Sequence, residues 1–547
     1  MDAVIIGADK FIAAMPDEYT LTDARMLRLP WIYNNTGLRM GSTKSAEAVI
    51  EVPSAGPYTL FVHSHGSEES AFKVMINETE DSAVFGNREN SWQKGSTFKL
   101  DAGKVKISLQ PIAEGASVDL LVLSSDPNFD PETLPQEFLP GDLELLHEYQ
   151  ICMGSTVKFG DLRGDGRIGF AAFERDYSVH VYDHDGTELW MYQAPPLEEC
   201  CERRASFEPP GVIWDIDGDG FGELIHWRHF DGQAWLVIAD GLTGEIKKKT
   251  EFPSVHPDDF NNYRIAIARL EPGYPRHFIV FADSGGTISI NAYSPDLELL
   301  WSHVEIRKKD NLGHYIYPRD ITGDGLDDIL VGALALDSQG QVIWDQLMPK
   351  NGDHIDSMRF SDIDGDGRQE IVAAYSGLGV QILRLDSGEL IWQRPAHHTQ
   401  QIETGYFLQD CPGPQVAAGA RIYNRLPGVY LSAQIYWYDR NGDLIKLWPQ
   451  VPLNGNPDFV KGDWLGDGTE QLFWYKFKIN DSGEGEFYFP DQVYHMFDFN
   501  GDGAEEVITL HAGRLRVYGS KHAVRNPKAA KRDGDYLYRT VVNHTHY

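Results

Sequence analysis

An all-β chain is expected: an eight-bladed β-propeller preceded by an N-terminal β-sandwich of jelly-roll type. Three observations lead there. Short runs that alternate apolar and polar residues are punctuated almost everywhere by the 53 glycines and 29 prolines of the 547 residues, and helical stripes are hard to find. An acidic six-residue motif recurs through the last three quarters of the chain. Several of the recurring units also end in a glycine turn followed by tryptophan.

The N-terminal part supplies the runs AEAVIEV (46–52), PYTLFVHS (57–64), AFKVMI (71–76), STFKL (96–100) and VKISLQP (105–111). Strands at such short, regular spacing read as a sandwich. A Pro-rich, acidic stretch at 126–142 reads as a linker. The expected division is a sandwich over 1–135 and a propeller over 136–547.

Past that boundary the repeat sets the fold. DLRGDG starts at Asp161, DIDGDG at Asp215, DITGDG at Asp320, DIDGDG at Asp362, DWLGDG at Asp463 and DFNGDG at Asp498. Apolar runs such as ELIHW, DILVGAL and EIVAAY follow. The glycine turns lead to Trp190, Trp344 and Trp392, and SPDLELLW ends at Trp301. Each unit reads strand, acidic loop, strand, loop, strand, turn, strand, which is a four-stranded blade. Two degenerate units, YRIAIARLEPGYPRHFIVFAD (263–283) and GYFLQDCPGPQVAAGARIY (405–423), fill the long gaps. Eight units result, about 50 residues each. The tail LYRTVVNHTHY is expected to supply the strand that closes the ring.

The acidic loops have metal-ligand spacing. Asp215, Asp217, Asp219 and Glu223 stand at positions one, three, five and nine, with Gly220 at six; Asp362, Asp364, Asp366 and Glu370 repeat the pattern, as do Asp498, Asn500, Asp502 and Glu506. Calcium takes six to eight oxygen ligands, and glycine permits the sharp turn that lets carboxylates converge. An EF-hand needs Glu at position twelve between helices; His226 stands there, between strands. Calcium is therefore the expected cofactor, stapling neighbouring strands. The loop at Asp320 keeps Asp324 and Asp328 but has Thr322, and the loops at Asp161 and Asp463 are weaker.

Charge and composition exclude other classes. Lys plus Arg is 48 and Asp plus Glu is 82, so the net charge is −34, the wrong sign for a nucleic-acid partner. No apolar run is long enough to span a membrane. The cysteines, Cys152, Cys200, Cys201 and Cys411, form neither a disulfide framework nor a Cys-x-x-Cys pair. The first residues lack a signal peptide's basic start and apolar segment. With the unpaired cysteines, this points to the cytoplasm; calcium loops and a glycan substrate point to export with a signal peptide removed.

The connections opposite the acidic loops collect Arg, His and Tyr. They include Arg203, Arg204, Arg228, Arg264, His314, Tyr315, His354, Tyr375, His397, His398, Tyr423, Arg425 and His511. A net-acidic chain that concentrates such groups at one pole is equipped for an anionic ligand.

From GVIWDIDGDGFGELIHW through YRIAIARLEPGYPRHFIVFADSGGTISINAYSPDLELLWS to NGDHIDSMRFSDIDGDGRQEIV, the serial order of segments resembles the rhamnogalacturonan lyases of polysaccharide lyase family 11, over about 140–547. The resemblance implies an eight-bladed propeller, several calcium ions and cleavage of an acidic pectic polysaccharide or oligosaccharide by β-elimination. PheAlaAspSer at 281–284 departs from the arginine-glycine-tyrosine-tyrosine run expected of the family. DWLGDGTEQLF stands where an arginine-glutamate pair is expected. The N-terminal sandwich looks like a carbohydrate-binding module. A lyase must quench the uronate carboxylate, remove the C5 proton and protonate the leaving oxygen, tasks suited to Arg or a metal, His and Tyr. His354 leads the candidates as base or carboxylate clamp, followed by His314, Tyr315, His398, Arg264 and Arg228. Two other readings stay open. A glycoside hydrolase could use the uncommitted Asp176 and Asp458, or the propeller could bind glycans without chemistry. The tryptophans read as blade packing rather than as a quinone site.

Overall fold

Strand-period alternation, turn glycines and the lack of helical stripes produce a chain in which strands are the repeated element. The computed structural model describes residues 3–16, 18–23, 34, 36–41, 43–153, 156–196, 209–253, 262–284, 287–306, 313–346, 353–426, 429–448 and 458–526. Among these, all regular structure is strand apart from short 3₁₀ turns, and no helix is long and apolar enough to cross a membrane.

The N-terminal part forms two antiparallel sheets. One contains six strands, with Ser117–Ser124 paired to Ala3–Gly7, Thr36–Arg39 and Gly56–His65. The other contains four: Ala46–Val52, Gly103–Ala113, Ala71–Ile76 and Thr79–Glu80. Alternation places Ala46, Ala48, Ile50 and Val52 inward, in one core cluster with Tyr58, Leu60 and Val62 of the other sheet. Burying each large side chain of this kind stabilises by about 1.5–3 kcal/mol.

Among the described residues from Leu143 to Ser520 there are eight four-stranded antiparallel sheets. In the first seven, the four strands pair in chain order. The first begins with Thr156–Gly160, the second with Gly211–Trp214, the third with Asn262–Ala268 and the fourth with Ile316–Arg319. Ile355–Ser361, His398–Gly405 and Phe459–Gly462 begin the fifth, sixth and seventh. The eighth combines Val493–Phe497, Glu506–His511 and Arg514–Ser520 with Leu143–Gln150 from the start of the region. The expected closing tail, LYRTVVNHTHY, lies outside the described residues; the strand that completes the last sheet is Leu143–Gln150.

Side chains from each fourth strand, or next to it, grip the following sheet. Trp190 Nε1 donates to Gly241 O at 2.9 Å, Trp301 to Ser338 O at 2.9 Å, Trp344 to Leu385 O at 3.2 Å and Trp392 to Arg440 O at 3.2 Å. Lys248 does this for the second sheet, donating to Pro295 O at 3.0 Å, and Lys446 for the sixth, donating to Ser482 O at 2.7 Å. Tyr488 OH donates to Asp142 Oδ2 at 2.6 Å, reaching the eighth sheet. Tyr149 OH of the eighth donates to His184 O at 2.5 Å, in the outer turn of the first. The tryptophans therefore pack sheets together, as the sequence indicated.

Candidate functional site

At the start of the fourth, fifth and sixth sheets, the chain delivers three imidazoles to one place. His314 lies two residues before Ile316–Arg319, His354 one residue before Ile355–Ser361, and His398 opens His398–Gly405. The rings of His314 and His354 are 4.8 Å apart, centroid to centroid, and those of His354 and His398 are 6.2 Å apart. Between them is Asp356, fully buried. Its Oδ1 is 3.4 Å from His314 Nε2 and 3.3 Å from His354 Nε2, and its Oδ2 is 3.6 Å from His398 Nε2.

Local backbone explains how an aspartate comes to sit there. Ile355 pairs with Tyr375 and Ser357 with Ala374, so Asp356 is the extra residue of a β-bulge. A bulge breaks strict alternation and re-aims a side chain. Gln400 is skipped in the same way in the sixth sheet, next to His398.

Electrostatics poise the cluster. Burial holds His314 and His398 below the usual imidazole range, although Asp356 acts in the opposite sense on both. Burial alone would raise Asp356, but the His314 and His354 rings outweigh it and keep its carboxyl below its ordinary value. His314 is nearly inaccessible, whereas the side chains of His354 and His398 are 21% and 24% exposed. The latter two can therefore meet a substrate. Asp353 braces His354: its Oδ1 accepts from Ser376 Oγ at 2.7 Å, Gly377 N at 2.6 Å and His354 N at 3.0 Å. Arg421 is the cross-strand partner of His398 and donates to Gln400 Oε1 at 2.8 Å.

The other candidates divide. Arg264 lies over the ring of Tyr315 at 5.2 Å, beside His314, and donates to Tyr263 O at 2.9 Å. These two join the cluster. Arg228 does not. It donates to His226 Nε2 at 3.0 Å and Gly244 O at 3.1 Å, and stacks on Trp190 and Tyr192, so it fills the seam between the first and second sheets. Arg203 and Arg204 lie outside the described residues, as do the side chains of Tyr423 and Arg425. Sequence reasoning missed Asp356 and Arg421. An acid inside the apolar run Ile355-Asp356-Ser357-Met358 was the available signal for Asp356.

The acidic loops occupy the opposite ends of these first strands. In each, the heading Asp accepts backbone N–H bonds within its own loop: Gly218 and Gly220 on Asp215, Gly323 and Gly325 on Asp320, Gly365 and Gly367 on Asp362, Asp502 and Gly503 on Asp498. Ligand atoms of Asp215, Asp217 and Glu223 lie within 4.8 Å of one another, as do those of Asp362, Asp364 and Asp366. Those of His314, His354 and Asp356 do so too, but a nitrogen-rich set suits a first-row transition ion better than calcium. At the Asp320 loop, Asp328 is fully buried and its Oδ1 has no hydrogen-bond partner among the described residues. An orphaned carboxylate oxygen in an acidic loop fits a bound cation.

No protein-family model matches the chain. The rhamnogalacturonan exolyase YesX of Bacillus subtilis (strain 168) is 22% identical over 460 residues, 71% of this chain and 71% of its own. The rhamnogalacturonan endolyase YesW of the same organism is 21% identical over 498 residues, 78% and 75% of the two chains. Among solved structures, the Bacillus licheniformis rhamnogalacturonan lyase PL11 superposes with a TM-score of 0.55 at 15% identity, covering 91% of this chain and 95% of its own. The crystal structure of YesX gives 0.53 at 15% identity, over 88% and 92%. In sequence and in fold, then, the chain resembles the rhamnogalacturonan lyases of polysaccharide lyase family 11.

Proposed function

We propose that this protein is a polysaccharide lyase that cleaves a rhamnogalacturonan-like acidic polysaccharide or oligosaccharide by β-elimination, at the pole where His314, His354 and His398 surround Asp356. That constellation carries the reading. It offers two partly exposed imidazoles and a buried one around a buried carboxylate, with guanidinium groups in the same neighbourhood. Arg421, partly exposed beside His398, neutralises the uronate carboxylate, with the buried Arg264 adding positive charge behind it, which makes the C5 proton removable. His354, braced by Asp353, takes that proton. The electron pair left on C5 forms the C4=C5 double bond, the C4–O bond breaks, and the departing oxygen takes the proton now carried by the His354 imidazolium, with the His398 imidazole placed to relay it. Asp356 orients the imidazoles and balances their charge.

The architecture that serves this reading is an eight-bladed propeller. Support comes from the serial clasps, above all the one from Tyr149 back to the first sheet, and from Tyr494 OH, which accepts from Val157 N at 2.9 Å across the same seam. The two N-terminal sheets are proposed to form a β-sandwich over about 1–135 that assists carbohydrate binding and does no chemistry. Calcium is proposed for the loops of Asp320, Asp324 and Asp328 and of Asp498, Asn500, Asp502 and Glu506, where it would staple strand ends.

Incubation with rhamnogalacturonan tests the chemistry. A lyase releases unsaturated uronate, seen by its near-ultraviolet absorbance. New reducing ends without that absorbance mean hydrolysis, and neither signal means a binding protein.

A further inference from the structure

Four acidic loops face the same charge problem, and the acid at position nine shows how two of them solve it; in the Asp498 loop, Arg525 Nε pairs instead with Asp502 Oδ2, at 3.0 Å. One oxygen of the position-nine acid accepts from the backbone N–H at position two: Glu223 from Ile216 at 2.9 Å, Glu370 from Ile363 at 2.9 Å, Asp328 from Ile321 at 2.8 Å and Glu506 from Phe499 at 2.8 Å. The second oxygen is left for whatever neutralises the loop.

In the Asp215 loop a lysine takes that oxygen. Lys247 Nζ is 2.5 Å from Glu223 Oε1, 3.0 Å from Asp217 Oδ2 and 3.3 Å from Asp219 Oδ2. Arg276, from the third sheet, adds a bond to Asp217 O at 3.3 Å. In the Asp362 loop an arginine does the same: Arg384 Nη1 is 3.0 Å from Glu370 Oε1, 2.9 Å from Asp364 Oδ2 and 3.5 Å from Asp366 Oδ2. The two side chains come from different strands, Ile246–Glu251 and Gly379–Arg384, so the solution arises in two ways. Counting from the turn glycine, Lys247 stands three residues after Gly244 and Arg384 four before Gly388. At the same distances from Gly340 in the fourth sheet stand Ile343 and Leu336, both apolar. That is the sheet in which Asp328 Oδ1 has no hydrogen-bond partner among the described residues.

We infer that Lys247 and Arg384 are built-in cations that take the place of calcium in the second and fifth sheets, so that those two loops hold no ion although their spacing is the most complete. A charge carried by the chain itself is always at its site, and a free ion must displace it to bind. The sequence expectation of calcium at Asp215, Asp217, Asp219, Glu223, Asp362, Asp364, Asp366 and Glu370 does not fit this occupancy. The inference rests on the calcium reading of the Asp320 loop only for contrast, and one experiment separates the two.

Bound calcium per chain is counted by elemental analysis after dialysis against calcium, for the full protein and its variants. Asp217→Asn and Asp364→Asn are expected to leave the count unchanged. Lys247→Gln and Arg384→Gln are each expected to gain one ion, with methionine in place of glutamine where a variant fails to fold. Loss of an ion in either asparagine variant, or no gain in the lysine and arginine variants, overturns the inference. Asp324→Asn reports separately on the calcium reading, which fails if that variant loses no ion.

Discussion

Replacing Asp356 by asparagine keeps the shape of the side chain and removes the charge that three imidazoles share. The carboxylate raises the proton affinity of His314 and His398 against the lowering effect of burial. Asp356→Asn should therefore lower turnover by about a hundredfold and shift the acid limb of the activity profile to lower pH, a displacement that mere loosening of the fold would not produce. His354→Ala and His398→Ala should each cost about a hundredfold in turnover, with melting temperature and calcium content nearly unchanged. His226 gives a purely structural counterpart. Burial first, and Arg228 second, hold it well below 6.5. From about 6.5 downwards the unfolded chain binds a proton that the folded one refuses, so stability rises with pH in that window and is lost on acidification. The contribution is at most about 1.4 kcal/mol per pH unit, and denaturation of His226→Asn against pH should lack it.

Sheets are coupled through a residue pair that recurs along the chain. An added Cβ on Gly340, whose φ is +79°, would lie 2.6 Å from the ring of Trp301. Gly340→Ala should therefore destabilise by about 1–3 kcal/mol, and Trp301→Phe, which loses the indole bond to Ser338 O, by about 1 kcal/mol; thermal denaturation measures both. Chelation should lower the melting temperature if the Asp320 and Asp498 loops hold calcium, and no shift together with no bound metal counts against it. These elements were legible in the sequence because acid, glycine and tryptophan fall at fixed offsets. The contents of the loops were not: Lys247 and Arg384 are distant in sequence from the acids they neutralise. Asp356 escaped because a bulge breaks the alternation by which strand faces are read. Arg228 reads as part of the active pole from its place near a loop, but its Nε and Nη2 donate to His226 and a turn carbonyl, away from the histidine cluster.

The N-terminal sheets and the eight-sheet region meet at a buried lysine. Lys476, 2% exposed, donates to Thr36 Oγ1 at 2.6 Å, Asn34 O at 3.2 Å and Pro490 O at 2.7 Å. Lys476→Met leaves those acceptors unpaired and should destabilise by about 1–3 kcal/mol, while turnover on a short soluble substrate persists; a calorimetric scan and a rate measurement check the two halves. Nothing in the sequence around Lys476 announced this, since its partners lie in the other part of the chain. The eighth sheet has one further consequence. Leu143 lies opposite Ser520 because the sheet borrows its outer strand from the far end of the region. During synthesis, Leu143–Gln150 must wait unpaired until seven sheets have emerged after it, and pairing then closes a very large loop, an entropic penalty that grows only slowly with length but delays folding. The seam between the two chain ends is accordingly the last junction to form, and a ribosome-stalled chain ending before Arg514 should expose it to protease.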